Sequence, residues 1–447
     1  MPPGATTTSA GATRTATQST TESINLGAYG EEVVSYADRV FLTGGLRYDG
    51  NSAFGTGFAG VYYPKIGASW LLSDESFFPR IDAINSFRVR ATYGSSGVQP
   101  GALNALRFYQ TANANISGVE QSGVTLSALG NANLKPEYSG EFESGFDVSA
   151  FSNRTSVELT YYNKKTKDAL ISAPLAPSLG GTINTLLENI GSTRNQGFEL
   201  TLSQRVLDTR NVGFDVQLTG STTKNRILTL GQGVTPIFTG NRSTQYNAPG
   251  YPLFSLWGRT YTYNDANKDG IIVASEMPFS DTAVYIGPTA PTHEFALTPR
   301  LELFGRKLAI TAQFDHKDGM SKFYNTLRHR CQGGASCEGL WDPKASLADQ
   351  AAAVADNLNI YTGYFLNGEF TRFRELSVTY QLPDRFASKL RASKVALVGT
   401  GRNLHVWTAY PGIDPESTVG NSDTRGNEEY FATPPLRQFT IRLNLNY

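Results

Sequence analysis

Apolar and polar side chains alternate one for one along much of this chain, and the pattern recurs from end to end. At the C-terminus Phe439, Ile441, Leu443, Leu445 and Tyr447 share one parity, while Gln438, Thr440, Arg442, Asn444 and Asn446 share the other. Val157, Leu159 and Tyr161 oppose Glu158, Thr160 and Tyr162 in the same way, as do Phe198, Leu200 and Leu202 against Glu199, Thr201 and Ser203. A period of two means a β-strand with one apolar and one wet face. Read so, the chain holds thirteen strand segments, at 24–37, 39–49, 60–72, 85–96, 137–151, 153–166, 194–207, 210–226, 291–304, 306–319, 364–382, 393–406 and 430–447. The runs reach about 10–14 residues, beyond the ~5–6 of an average soluble strand and enough for the ~9–11 that a tilted membrane strand needs. Tyr48, Tyr63, Trp70, Tyr93, Tyr161 and Tyr380 stand near segment ends, where interfacial girdles form.

The connections alternate too. Short ones lie at 37–39, 152–154, 207–210 and 304–306, and long ones cover about 97–136, 167–192, 227–290, 320–362 and 407–430. Short turns at one end and long loops at the other predict an all-β, transmembrane antiparallel β-barrel with its long loops outside the cell. A soluble sheet gives no reason for that regularity. Thirteen is odd, whereas single-chain bacterial barrels use even numbers, and an open sheet would strand backbone groups in hydrocarbon at several kcal/mol each. The expectation is therefore a partial barrel over 24–447, the C-terminal part of something larger. A flexible polar segment over 1–23 precedes it, without the apolar run of a secretory signal.

Composition narrows the function classes. Lys+Arg and Asp+Glu both number 39 and no basic block occurs, which argues against nucleic acid as the partner. No window of about 18 apolar residues exists, so no transmembrane helix is expected. The charged fraction of 17%, with 44 Gly and 22 Tyr, suits many strands joined by turns.

Several segments, in order, resemble the C-terminal barrel half of the SusC/RagA family of TonB-linked outer-membrane transporters. Leu46-Arg47-Tyr48-Asp49-Gly50-Asn51-Ser52-Ala53-Phe54-Gly55 is similar to the family's LRxDGSSRFG hairpin, and Tyr63-Pro64-Lys65-Ile66-Gly67-Ala68-Ser69-Trp70 to its YPSxSxGW strand. Asn133-Leu134-Lys135-Pro136-Glu137, the run from Tyr161 to Asp168, and Asn195-Gln196-Gly197-Phe198-Glu199-Leu200 follow at family positions. So do Arg372 to Pro383, Gly401-Arg402-Asn403-Leu404 and Tyr410-Pro411-Gly412-Ile413-Asp414-Pro415-Glu416. The last residue is Tyr447 where the family ends in Phe. The resemblance implies about the last thirteen strands of a twenty-two-stranded barrel, without plug or TonB box. It implies import of oligosaccharides or peptides, a SusD-like surface lipoprotein that captures substrate, and TonB with ExbB and ExbD acting on the missing plug. The other functions compatible with the sequence are a siderophore or cobalamin receptor, a passive porin or adhesion barrel, and a soluble sugar-binding β protein.

Local chemistry is sparse. Asp265, Asn267, Asp269, the carbonyl of Ile271 and Glu276 fit the spacing of a Ca²⁺ loop, with Gly270 at the sharp turn. Against it, the segment lies between strands where flanking helices are not expected; a structural Ca²⁺ and a turn that binds nothing are both compatible with it. Cys331 and Cys337 are the two cysteines, and an outside loop would carry them as a disulfide. A two-cysteine metal site is the weaker alternative, because His329 alone lies near. Four scattered His and a lone Ser221-x-x-Lys224 do not support catalysis, and no cofactor is required. Arg47, Arg90, Glu141, Glu143, Glu158, Glu199, Arg372 and Glu375 are expected on the lumen face. Trp257, Tyr261, Tyr263, Trp341 and Trp407 are loop aromatics able to pack a loop or stack on sugar rings.

Overall fold

The computed structural model describes residues 20–55, 60–175, 185–231, 236–239, 244–332, 336–419 and 428–447. Most of the polar segment expected over 1–23 lies outside them. Thirteen strands form one antiparallel sheet in which each pairs with its neighbours in chain order. They are β1 (Asn25–Tyr36), β2 (Val40–Asn51), β3 (Val61–Leu71), β4 (Ile84–Val98), β5 (Glu137–Ala150), β6 (Thr155–Pro174), β7 (Thr185–Asp208), β8 (Gly213–Thr229), β9 (His293–Leu303), β10 (Leu308–Asp318), β11 (Phe370–Gln381), β12 (Lys394–Thr408) and β13 (Gln438–Asn446). The ladder starts at β1 and ends at β13, and these two are not paired with each other.

The sheet is inside-out by the standard of a soluble protein. Its apolar parity is open: Ile66, Phe198 and Ile441 are 64%, 51% and 82% exposed. A continuous apolar face of this extent is incompatible with water and matches the lipid face of a barrel, polar residues lining the other side. Among the described residues no helix is long and apolar enough to cross a membrane.

Some tyrosines and glycines are paired across strands. A Cβ added to Gly97 would meet the Tyr63 hydroxyl at 2.1 Å, and one on Gly140 the Tyr93 hydroxyl at 2.6 Å. Each ring covers the glycine of the next strand, restoring the packing that glycine lacks.

Two loop regions differ from the sequence reading. Most of 167–192 continues the hairpin, because β6 runs to Pro174 and β7 begins at Thr185. The ladder steps past Asp168, at φ 56°, by register shifts between Thr166 and Leu170 and then resumes. The loop at 97–136 carries a hairpin of its own, Phe108–Ile116 with Val119–Ala128. The remaining long loops are folded. A four-stranded sheet (Ile237–Thr239, Gln245–Asn247, Ser255–Gly258, Val284–Gly287) adjoins helices α1 (Asn325–Gln332), α2 (Glu338–Trp341) and α3 (Leu347–Asn357). A fourth helix, α4 (Asp384–Lys389), caps the short-turn end between β11 and β12. The larger buried apolar clusters lie in the loops: one joins Leu256, Phe323, Cys331, Cys337, Ala352 and Tyr364, another Ile272, Met277, Ala351, Ala355 and Ile360.

Candidate functional site

Two structures face the transport path a barrel would have: the polar wall of the lumen and the folded loop end. On the wall, period-two alternation puts acids and bases on one face, where strand pairing and i,i+2 spacing bring them together. Lys65 Nζ lies 2.8 Å from Glu31 across Gly45 of β2, Arg47 Nε lies 2.7 Å from Asp49 on the same strand, and Arg205, opposite Asp215, bridges both its oxygens at 2.7 and 3.1 Å. Arg90 reaches Asp147 at 3.2 Å and donates to the Thr160 hydroxyl at 2.6 Å; Lys164 lies 3.6 Å from Glu141 and Arg402 2.8 Å from Glu375. These partly exposed pairs each contribute little to stability. Their effect is to set a patterned polar surface. Glu143, Glu158 and Glu199, on three successive strands, have no ion-pair partner among the described residues. A concavity of about 720 Å³ opens toward the long-loop end between β1 and β4, lined by Tyr29, Glu31, Arg47, Asp49, Tyr63 and Lys65.

Arg372, expected as wall lining, is instead 3% exposed. Its guanidinium donates to both oxygens of Asp414 at 2.7 and 2.8 Å, which fixes the segment before β13 onto β11. A register shift between Phe373 and Glu375 lets Arg374 join the same cluster, bonding Asp315 at 2.8 Å and Glu416 at 2.9 Å. Beside it Lys322 is fully buried and donates to the carbonyls of Pro415 and Ser417 at 2.8 and 2.5 Å. Burial pushes its ammonium down to about 8, against the pull of Glu429, Asp414 and Glu416. Tyr410 donates to Glu429 at 2.6 Å and Asn325 to Glu428 at 2.6 Å; a short parallel pairing of Phe323–Tyr324 with Glu428–Glu429 holds these groups together. None of these long-range partnerships is visible in sequence spacing.

The Cys331 and Cys337 sulfurs are bonded to each other, linking the end of α1 to the start of α2 inside the loop core. Arg328, also on α1, pairs with Asp356 of α3 at 2.9 Å with both side chains 1% exposed. The four-ring group of Tyr246, Tyr251, Trp257 and Tyr285 packs the small sheet, with Trp257 4.7 Å from Tyr251. Tyr261 is half-buried against the second cluster, and burial pushes its phenol up to about 12. Tyr263, Trp341 and Trp407 are exposed, Trp407 edge-on to His405 at 4.6 Å.

The 265–276 segment folds as a tight turn. Asp265 accepts from the amides of Asp269 and Gly270 at 3.1 and 3.0 Å, and Glu276 from those of Ala266 and Val273 at 3.2 Å each. Gly270 sits at φ +79°, where a side chain would be strained. A three-residue 3₁₀ turn, Ala274–Glu276, follows in place of an α-helix. Gln350 of α3 pins the turn, accepting from Ile272 and donating to the Gly270 carbonyl, both at 3.0 Å. Among the described residues no three His, Cys, Asp or Glu converge as a ready metal site. Ser221 and Lys224 take opposite parities of β8 and so face opposite sides of the sheet. Two of the scattered His do meet one acid: Asp318 bonds His293 at 2.6 Å and His316 at 3.3 Å, through the β9–β10 register.

Comparison with known proteins is consistent with this geometry. Residues 2–404 match the family model described as TonB dependent receptor-like, beta-barrel. TonB-dependent receptor P3 of Formosa agariphila is 26% identical over 94% of this chain and 45% of its own length. TonB-dependent receptor SusC of Bacteroides thetaiotaomicron is 22% identical over 88% of this chain and 41% of its own. The chain thus spans about half the length of the curated relatives it matches. The structure of the RagAB peptide transporter superposes with a TM-score of 0.78, at 20% identity, over 95% of this chain and 48% of that one. The chain is similar to SusC and to the RagAB transporter, belongs to the TonB-dependent receptor β-barrel family, and is an outer-membrane protein.

Proposed function

We propose that this chain forms the C-terminal barrel wall and outer loops of an importer that draws oligosaccharides or peptides across the outer membrane. In this reading TonB, with ExbB and ExbD, supplies the energy, and a SusD-like lipoprotein delivers the substrate at the long-loop end. The observation that carries it is the loop end itself. A pore open to diffusion needs a clear mouth, whereas here the loops are built around two apolar cores, a disulfide and buried ion pairs. That is a rigid platform above a polar lumen, the arrangement a docking partner requires. Cells lacking the gene should lose uptake of one oligosaccharide or peptide class, and a protonophore should abolish that uptake in cells that keep it. Uptake that persists under the protonophore would overturn the energised reading in favour of a passive pore.

We also propose that the 265–276 turn takes a structural Ca²⁺. Support comes from oxygens at positions one, three, five and twelve of the motif, and from Gly270 at the turn. A bound ion would stiffen a loop already tied to α3 by Gln350. Glu276→Gln is expected to weaken Ca²⁺ binding by about 100-fold, read by terbium luminescence on the extracted protein. Equal luminescence from the variant and the parent would dismiss the site.

A further inference from the structure

We propose that five cations on the outer face of the barrel, Lys165, Lys167, Arg194, Lys224 and Arg226, bind the phosphorylated headgroup of an outer-leaflet glycolipid. The proposal rests on the reading that the long loops face outward.

The placement follows from parity and register. Lys165 and Lys167 continue the parity of Val157, Leu159 and Tyr161 on β6, Arg194 that of Phe198 and Leu200 on β7, and Lys224 and Arg226 that of Leu218 on β8. All therefore lie on the lipid side. Arg194 is directly opposite Lys165 on one flank and Arg226 on the other, and Lys224 is opposite Gln196. Like charges placed opposite each other across a sheet are destabilising, so the arrangement calls for an anion. The protein does not provide one. All five side chains are exposed, and among the described residues none has a carboxylate within 4 Å; Arg194 donates from Nε to Asn163 Oδ1 at 2.9 Å. The β5 residues opposite this end of β6 are Tyr138, Gly140 and Phe142, and the nearby Asp168 is held by Lys135 at 2.9 Å. The lumen side of the same strands behaves differently, for there Lys164 and Arg205 each have an acid.

The same face selects the occupant. Immediately below the cations the Tyr161 and Phe198 rings meet at 5.3 Å, with Phe142, 44% exposed, beside them. From Val157 to Lys165 is eight residues, about 26 Å along a strand, which at a tilt of about 40° rises roughly 20 Å, most of the height of the apolar band. The cations therefore stand at headgroup level and the rings at the acyl boundary. A ligand with apolar chains below and several negative charges above is a lipid. Two phosphate groups of up to about two charges each would match four or five cations.

The test uses the protein extracted from the outer membrane in mild detergent, titrated with diphosphorylated lipid A and followed by native mass spectrometry. The parent and the control K389Q/R391Q/K394Q, which removes three exposed cations at the short-turn end, should bind the lipid alike. K165Q/R194Q/R226Q should bind about 100-fold more weakly, at roughly fivefold per cation, with its native electrophoretic mobility intact. Dephosphorylated lipid A should bind all three equally and weakly. Equal binding of diphosphorylated lipid by the two triple variants would overturn the proposal, as would displacement of the lipid by equimolar inorganic phosphate. Antibody access in whole cells to an epitope placed beside Trp341 tests the outward orientation separately.

Discussion

Replacing Gly197 with alanine is expected to abolish the compact, heat-modifiable form of the barrel in the outer-membrane fraction. Gly197 lies at the centre of the sheet, paired with Tyr162 of β6 and Thr223 of β8. A Cβ there would stand 1.7 Å from the Thr222 carbonyl oxygen and 2.8 Å from the Tyr162 hydroxyl. The tyrosine could swing aside, but it donates to that same Thr222 carbonyl at 3.1 Å, and the carbonyl belongs to the backbone ladder. Relief therefore means parting β7 from β8. Overpacking that side chains can absorb costs about 1–3 kcal/mol; a clash with backbone belongs with the exceptional cases above about 4 kcal/mol. Gly399→Ala is the matched control, since a Cβ on Gly399 meets nothing within 4 Å. Unheated electrophoresis of both variants decides the matter. Native mobility and an unchanged melting temperature for Gly197→Ala would show that the ladder tolerates the added methyl.

The strands were legible because a lipid face must be apolar at every second position, and nothing in a membrane relaxes that rule. All thirteen segments read from alternation correspond to strands of the sheet. Alternation failed where strands leave the lipid. Beyond Lys167, the last β6 residue in register with β5, the ladder shifts past Asp168, so parity is lost although pairing continues to Pro174. The hairpin Phe108–Ile116 with Val119–Ala128 was hidden for a related reason: Gln110, Thr111, Asn113 and Asn115 make both faces polar. The helix α3 did carry a signal, since Ser346 accepts from the Asp349 amide and donates to its carboxylate, a Ser-x-x-Asp cap opening an alanine-rich run.

Legibility of the sites followed sequence distance. The 265–276 turn and the cysteine pair are local, so spacing exposes them. The anchoring cluster is not local: Arg372 and Asp414 are 42 positions apart, and Lys322 and Ser417 are 95. Arg372 shares the parity of the apolar Leu376 and Val378, and it is the register shift at Arg374 that sets it opposite Asp315 on the polar side. Parity gives the side of the sheet only where no bulge intervenes, and never what folds over it. The cation patch is intermediate, for each residue's face follows from alternation, whereas the row Lys165–Arg194–Arg226 requires the register of three strands.

Arg372→Met should loosen the segment 409–419 by about 3–5 kcal/mol, the usual consequence of leaving one partner of a buried ion pair without the other. The pair is 3% and 4% exposed, so Asp414 would keep a desolvated charge with the Nη2 donor shared by its two oxygens removed. Arg372 Nε also stands 2.9 Å from Glu416, within ion-pair range though not aligned as a hydrogen bond, so Glu416 loses a neighbour as well. Hydrogen exchange in peptides covering 409–419 should accelerate by about two to four orders of magnitude, while the centre of β6 to β8 stays protected. The double variant Arg372→Met/Asp414→Leu separates two explanations. If the cost is the orphaned charge, the second substitution restores most of the protection, because a hydrophobic pair of similar volume is often neutral. Arg372→Lys should fall between, keeping the charge while losing the planar guanidinium whose Nη2 bonds Asp414 and whose Nε faces Glu416. Unchanged exchange in Arg372→Met would mean that Lys322 and the apolar contacts alone fix the segment, and that the pair serves register rather than stability.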